Sequence, residues 1–212
     1  SSFRNSLFYN RGKQKHSVTY SYLINNGKNL LSIGSQSVKN YSHQLQYTHL
    51  YQKSWLFNFF AKTIKTDLVS EDFVEKNYDI NGWQLAPKIS YLFSKNTKWD
   101  LFYELQTKKN QIGNFETLDQ NRIGTSFSYA GKQNVTVNGE FSLYENKFSG
   151  NEFSSVGFQM LEGLQAGSNL VWKLLLQKNI TSFLDVNLNY LGRKSETGNT
   201  IHTGNIQLRA YF

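Results

Sequence analysis

The sequence predicts an all-β protein, a transmembrane antiparallel up-and-down β-barrel with about 11–12 strands in this chain. Apolar and polar residues alternate with period two along nearly the whole chain, which is typical of strands whose two faces meet different surroundings. Short connections alternate with mostly longer ones, which is the layout of a barrel with tight turns at one end and larger loops at the other. The chain has 212 residues and one proline, and no linker is evident, so residues 1–212 are expected to form a single domain.

The composition supports an unusual placement of aromatic residues. They make up 16% of the chain, although its mean hydropathy of -0.53 is that of a polar protein. Aromatic surface must therefore be interleaved with polar residues. No apolar run approaches the roughly 18 residues of a membrane helix, which excludes a helical span. The chain has no cysteine, so it has neither a disulfide framework nor a thiolate metal site.

Eleven alternating stretches are predicted as strands, near residues 2–10, 15–24, 41–51, 54–66, 83–93, 98–108, 120–130, 134–145, 169–178, 183–193 and 201–212. One parity of each strand is apolar, as in Trp99, Leu101 and Tyr103. The other parity is polar and is expected to face the lumen. Its charged members are Lys88, Asp100, Glu104, Arg122, Glu140, Lys173, Asp185 and Arg209.

The acidic residues indicate which face meets lipid. Of the 15 acids, ten fall in predicted long connections, Glu145 lies at a boundary, and the remaining four share the polar parity. None is expected on the apolar parity. A carboxylate facing lipid costs several kcal/mol unless it lies near an interface, so this distribution favours hydrocarbon around the apolar stripes. A soluble β-sandwich would also alternate, and the pattern alone leaves that alternative open.

The C-terminal stretch GNIQLRAYF is a strand-like alternation that closes on phenylalanine. It resembles the targeting signal of bacterial outer-membrane barrels, which their assembly machinery recognises. The residues that carry this resemblance are Ile206, Leu208, Ala210, Tyr211 and Phe212. More loosely, GRKSETGNTIHTGNIQLRAYF and MLEGLQAGSNLVW resemble the tails of large barrel proteins from Bacteroidota, many of which serve surface attachment, secretion or envelope assembly. The resemblance implies an integral protein of the Gram-negative outer membrane. It implies as partners the membrane lipid and lipopolysaccharide, the barrel-assembly machinery and other envelope proteins.

The count of eleven strands conflicts with the even number usual in single-chain bacterial barrels. One solution is a twelfth strand in LLSIGSQSV or SSVGFQML. The preferred solution is that the chain is the C-terminal part of a larger barrel. Pro87 lies on an apolar parity and cannot donate to a strand ladder, so a bulge or local break is predicted there.

No catalytic, cofactor or metal site is predicted. The four histidines, His16, His43, His49 and His202, lack metal-ligand spacing and are expected to pack at interfaces or hairpins. The acidic segment SEDFVEKNYD lacks the spacing of an EF-hand and is expected to be a solvated loop, with cation binding as its alternative. A net charge of +8 raises a nucleic-acid hypothesis. It is rejected because the basic residues gather in turns rather than with aromatics on one face.

The sequence thus predicts a non-enzymatic outer-membrane barrel that serves as a membrane anchor or as a subunit of a larger envelope complex. A passive pore for small solutes is the alternative. A third hypothesis is a hydrolase acting on lipid or peptide. It has weak support, because no G-x-S-x-G motif occurs and Ser195, Glu196 and His202 are merely neighbours in sequence.

Overall fold

Eleven antiparallel strands form one sheet in which each strand pairs with the next along the chain. The computed structural model describes residues 1–13, 15–30, 34–131, 135–181 and 183–210. The strands are β1 (Ser2–Tyr9), β2 (Ser17–Leu30), β3 (Ser35–Tyr51), β4 (Trp55–Ser70), β5 (Tyr78–Leu92), β6 (Thr97–Asn110), β7 (Thr117–Ala130), β8 (Thr136–Ser149), β9 (Gly167–Thr181), β10 (Leu184–Ser195) and β11 (Ile201–Ala210). The predicted all-β, up-and-down class is confirmed.

Most strands extend further than predicted at the end where long connections were expected. For example, β4 continues to Ser70 rather than ending at 66, and β5 begins at Tyr78 rather than 83. The alternation fades there because both faces carry polar residues, among them Lys65, Asp67 and Asn81. The alternation of apolar and polar residues therefore locates the part of each strand with one apolar face, but not the part in which both faces are polar.

The segment SSVGFQML, considered above as a twelfth strand, instead contains a helix, α1 (Ser155–Leu161). The Ser154 hydroxyl caps its first turn by accepting a hydrogen bond from the Gly157 amide. Glu162 ends the helix in the left-handed region, with φ of 55°. In LLSIGSQSV, β2 ends at Leu30 and β3 begins at Ser35, while residues 31–33 lie outside the described part.

The sheet has two open edges. Within the described residues, the pairing runs from β1 to β11 without joining these two strands to each other. Strand direction reverses at every step, so β1 and β11 run the same way. Direct closure would require a parallel pair, whereas an odd number of additional strands would close the barrel with antiparallel pairs throughout.

The ladder between β5 and β6 is interrupted at Pro87, as predicted. Its pairing passes from Leu85–Leu105 to Lys88–Phe102 without pairs at 86 and 87, and the register on either side is the same. The interruption is therefore a local break rather than a bulge. On its other side, Pro87 stays paired with Phe59 of β4.

Candidate functional site: the polar face of the sheet

The pairing register divides the sheet into two chemically distinct faces. We call the polar face the one that carries Asp100, Glu104 and their cross-strand neighbours, and the apolar face the one that carries Trp99, Leu101 and theirs. All eight charged residues predicted to face the lumen share the polar face: Lys88, Asp100, Glu104, Arg122, Glu140, Lys173, Asp185 and Arg209. That this face lines a lumen stays a prediction.

Burial in the sheet is the reverse of that in a soluble β protein. On the apolar face, Trp99, Leu101 and Phe141 are 49%, 52% and 47% exposed. On the polar face, Asp100 is 4% exposed and Ser142 is fully buried. So many exposed large apolar side chains favour an apolar medium around this face. In water, each Å² of apolar surface left unburied would lose about 25 cal/mol of transfer free energy.

The apolar face carries a band bounded by aromatic residues. At the short-turn end, the rings of Trp55 and Tyr91 meet edge to face with centroids 4.8 Å apart. The other margin of the band on β5 is marked by Trp83. The eight residue steps between Trp83 and Tyr91 span about 26 Å at strand rise. The nine residues from Trp83 to Tyr91 match the length of about 9–11 residues with which a tilted strand crosses a membrane. Aromatic residues at both margins are typical of outer-membrane barrels.

The prediction that no acid shares the apolar parity is wrong. Because the strands are longer than predicted, Asp67, Asp79, Asp119 and Glu145 lie within them on the apolar face. Asp67 and Asp79 are direct cross-strand partners and lie beyond Trp83, outside the apolar band. Through the register, Asp119 is level with Trp83 and Glu145 is level with Leu85. The acids therefore lie outside the band or at its margin, where the cost of a charge that faces hydrocarbon is smaller than at the centre.

Arg122 is the centre of a network on the polar face. Its Nη2 donates to Glu140 Oε1 at 2.8 Å, and its Nη1 donates to Glu104 Oε2 at 3.4 Å. The guanidinium also donates to Ser142 Oγ from Nε and Nη2, at 3.3 and 3.2 Å. It lies between two rings, with Cζ 4.7 Å from the centroid of Phe102 and 5.0 Å from that of Tyr144. Arg122 is therefore held in one orientation by both charge and stacking.

The other predicted charges differ in how far the structure brings them together. Asp100 is paired with Lys98 at 3.0 Å and accepts from the Ser126 hydroxyl at 3.1 Å. Lys173 lies 3.5 Å from Glu140 and extends the Arg122 network to β9. Asp185 and Arg209 are cross-strand partners that line one groove, without an ion pair within 4.0 Å in the described residues.

Five further cations of the polar face were not singled out from the sequence: Arg4, Lys62, Lys98, Lys108 and Arg193. The cross-strand register places them there, next to residues of known face. A signal is present in the sequence for all five, since each lies within a predicted strand, and Lys62, Lys98, Lys108 and Arg193 share the polar parity of theirs. The charge of this face was consequently underestimated.

The β8–β9 connection, residues 150–166, folds against the polar face. Val156, Met160 and Leu161 of α1 join a buried cluster with Leu68, Tyr78, Ile80 and Leu118 from the sheet. The Lys108 ammonium donates to Met160 O at 3.0 Å and to Glu162 Oε1 at 2.6 Å. From β10, Arg193 Nη1 donates to Gly163 O at 3.0 Å. Two cations from well-separated strands therefore fix the end of α1.

The terminal residues of the predicted assembly signal are only partly described. Ile206, Leu208 and Ala210 share the apolar face of β11, and Ile206 and Leu208 are 67% and 66% exposed. Tyr211 and Phe212 lie outside the described residues. The role of these five residues as a signal stays a prediction.

The histidines pack against neighbouring rings. His16 stacks on His49 with centroids 4.4 Å apart. His43 and His202 each contact a tyrosine hydroxyl through Nδ1 at 2.7 Å, from Tyr20 and Tyr190 respectively. His202 lies on the apolar face, whereas Ser195 lies on the polar face and donates to Asn169 Oδ1. Within the described ranges, no three acidic or histidine side chains group to hold a metal ion.

Comparison with known proteins identifies the fold but no family. No protein-family model matches the chain, and no curated protein matches its sequence. The outer membrane channel DcaP of Acinetobacter baumannii has a similar structure, with a TM-score of 0.58 and 10% identity over 98% of this chain. The chain spans 62% of the length of that channel. At this identity the similarity shows a shared up-and-down β fold and nothing finer.

Two other structures are similar at lower scores. A NanC porin gives a TM-score of 0.48 with 11% identity, covering 100% of this chain and 99% of its own. The transport unit of the autotransporter AIDA-I from Escherichia coli gives 0.43 with 13% identity, covering 100% and 82%. These scores are too low to carry an inference. In the described part of the chain, no helix is long and apolar enough to span a membrane.

Proposed function

We propose that the chain forms a wall of an outer-membrane β-barrel that conducts small solutes through an aqueous lumen lined by the polar face. The observation that supports a wet lumen best is the set of cations on this face that no carboxylate neutralises. Lys62 and Lys88 have no ion pair within 4.0 Å among the described residues. An ammonium without a carboxylate partner would be costly in a dry interior, whereas water solvates it.

The outward environment follows from the apolar face. Its exposed band is bounded by aromatic residues, and its nine residues on β5 match the about 9–11 residues of a tilted transmembrane strand. The likeness to the A. baumannii channel, at 10% identity, supports the fold on which this proposed location rests. The Gram-negative outer membrane, its lipid and lipopolysaccharide, and the barrel-assembly machinery are therefore the surroundings that we propose. An origin in Bacteroidota stays a prediction.

The open edges support the proposal that this chain is part of a larger barrel. β1 and β11 run in the same direction, so an odd number of further strands is needed between them for antiparallel closure. The mass of the native polypeptide tests this: we expect a value well above 24.6 kDa. A native mass of 24.6 kDa, in a barrel closed by one chain, would contradict it.

Reconstitution into planar lipid bilayers tests the pore. The purified native protein, with its folding checked by circular dichroism, is expected to give stable single-channel steps. The same protein unfolded by heat serves as the control and is expected to give none. Folded protein that inserts into bilayers without producing steps would contradict a pore.

A second candidate, a membrane anchor or subunit of a larger envelope complex, is favoured by the β8–β9 connection. Lys108 and Arg193 hold this connection against the polar face. In a closed barrel the connection would therefore occupy part of the lumen. Chemical cross-linking in intact cells followed by mass spectrometry distinguishes the candidates. A stoichiometric envelope partner together with an absence of conductance would favour the anchor.

We also propose that the protein has no enzymatic role. We expect the purified protein to hydrolyse neither lipid nor peptide substrates, and hydrolysis of either would contradict this proposal.

A further inference from the structure

The polar face carries a marked excess of positive charge. Its strands contribute nine cations, Arg4, Lys62, Lys88, Lys98, Lys108, Arg122, Lys173, Arg193 and Arg209, and four carboxylates, Asp100, Glu104, Glu140 and Asp185. The chain as a whole has a net charge of +8. Nine cations less four carboxylates leave the polar face with a net charge of +5, which is more than half of the total.

Most of the carboxylates are already engaged. Asp100 pairs with Lys98, while Glu104 and Glu140 pair with Arg122, and Glu140 also with Lys173. Asp185 faces Arg209 across the β10–β11 pair. The carboxylate that holds Lys108 is Glu162, which belongs to the β8–β9 connection rather than to the sheet. Among the described residues, neither Lys62 nor Lys88 forms an ion pair within 4.0 Å with any of these carboxylates.

Lys62 and Lys88 are the cations best placed to meet a solute. They lie within the bodies of β4 and β5, and both are half-buried. Lys62 is opposite Gln84, and Lys88 is opposite Asn58. Lys88 and Asn58 also line a groove of about 390 Å³ that includes Gln46, Arg122 and the carboxylates of Asp100, Glu104 and Glu140. These carboxylates pair with Lys98, Arg122 and Lys173, so Lys88 is the cation of the groove without an ion pair among the described residues. The amides in this region supply N–H donors beside the ammonium groups, which is the donor set that recognises oxyanions.

We propose that the polar face selects anionic solutes, with Lys62 and Lys88 as the selectivity-determining cations. This inference rests on the proposed function, because it requires an aqueous lumen. Fixed positive charge on a low-dielectric wall raises the local concentration of anions and lowers that of cations. Small carboxylates and phosphate-like oxyanions are the class that the ammonium and amide donors fit.

Acidic residues outside the polar face do not cancel this preference. Glu71, Asp72 and Glu75 lie exposed in the β4–β5 connection. Charges exposed to bulk electrolyte are screened over about 8 Å at physiological ionic strength. Charges on a confined wall are screened less, so Lys62 and Lys88 dominate the field that a solute meets inside.

The test measures the reversal potential of the native protein in planar bilayers across a KCl gradient. We expect the sign that corresponds to preference for chloride over potassium. The double variant Lys62→Gln and Lys88→Gln is expected to lower the chloride-to-potassium permeability ratio by roughly threefold, because two fixed charges are lost. Lys62→Arg with Lys88→Arg keeps the charge and is expected to keep the ratio.

The matched control is Lys65→Gln with Lys109→Gln, which removes the same charge from β4 and β6 on the apolar face. We expect no change in selectivity from it. Conductance with cation preference, or a double variant that behaves like this control, would overturn the proposal and leave the pore intact. An absence of conductance in folded native protein would instead overturn the pore, and with it the selectivity.

Discussion

Lys108 and Glu162 form an ion pair, with 2.6 Å between Nζ and Oε1, that ties the β8–β9 connection to β6. The lysine is 5% exposed, and its ammonium also donates to Met160 O. Its two acceptors both belong to the connection. Lys108 therefore anchors the C-terminal end of α1 to the sheet.

Lys108→Met is expected to loosen this connection without unfolding the sheet. Methionine keeps an apolar stem of similar length but loses both hydrogen bonds of a charged donor, each worth about 1.5–3 kcal/mol. Limited proteolysis is expected to cut within residues 150–166 several times faster than in the native protein. Glu162→Gln keeps the bond to Met160 O and is expected to have the smaller effect. Equal cleavage rates in all three proteins would contradict the tethering role.

Arg122→Met is expected to destabilise the sheet by about 3–5 kcal/mol. The variant removes the ion-pair partner of Glu104 and one of the two partners of Glu140, and it leaves both carboxylates on a partly buried face. Urea unfolding in lipid vesicles, followed by tryptophan fluorescence, measures the loss. Arg4→Met is the control, since Arg4 is exposed and has no ion pair among the described residues. A loss below about 1 kcal/mol for Arg122→Met would show that the network does not stabilise the sheet.

Ile123→Arg tests whether the apolar face meets lipid. Ile123 pairs with Tyr103, midway between the two margins of the apolar band. An arginine at the centre of the band costs about 2–4 kcal/mol, and the cost falls to about 0–1 near the interfaces. Folding into vesicles is therefore expected to fail or slow markedly for Ile123→Arg. The control Val69→Arg changes a residue of the same face beyond the band and is expected to fold normally. If both variants folded equally well in vesicles, hydrocarbon could not surround Ile123.

Asp67→Asn is expected to stabilise the pairing of β4 and β5 slightly. Asp67 and Asp79 face each other directly across this pair, and like charges in that position destabilise a sheet by about 0.2–1 kcal/mol. Unfolding at neutral pH measures the gain. Asp119→Asn is the control, because Asp119 lies opposite Thr107 rather than another acid. Its Oδ1 accepts a hydrogen bond from Thr107 Oγ1 at 3.0 Å. A destabilised Asp67→Asn protein would indicate that this carboxylate makes a favourable contact.

The sequence was sufficient for the strands and for their faces. Period-two alternation located all eleven strands, because each apolar stripe must meet one medium along its length. It also placed Asp100, Glu104, Arg122 and Glu140 on one face, as the register shows. Contacts such as that of Arg122 with Phe102 and Tyr144 depend on register between strands, which alternation within a strand does not contain.

The sequence was insufficient where both faces become polar and where packing replaces alternation. The ends of β4 and β5 next to their connection are predicted as loop, because Lys65, Asp67 and Asn81 interrupt the apolar alternation there. Helix α1 was considered as a strand because a seven-residue helix offers too few turns to show its period clearly. Its burial depends on Leu68 and Leu118, which lie far from it along the chain.

The open edges of the sheet, at β1 and β11, present rows of unpaired amide and carbonyl groups. Such edges can pair with any other extended chain, including another copy of this one. Expressed alone, these eleven strands are therefore expected to aggregate through their edges. In a larger barrel of the kind proposed above, further strands would pair with both edges and satisfy these groups.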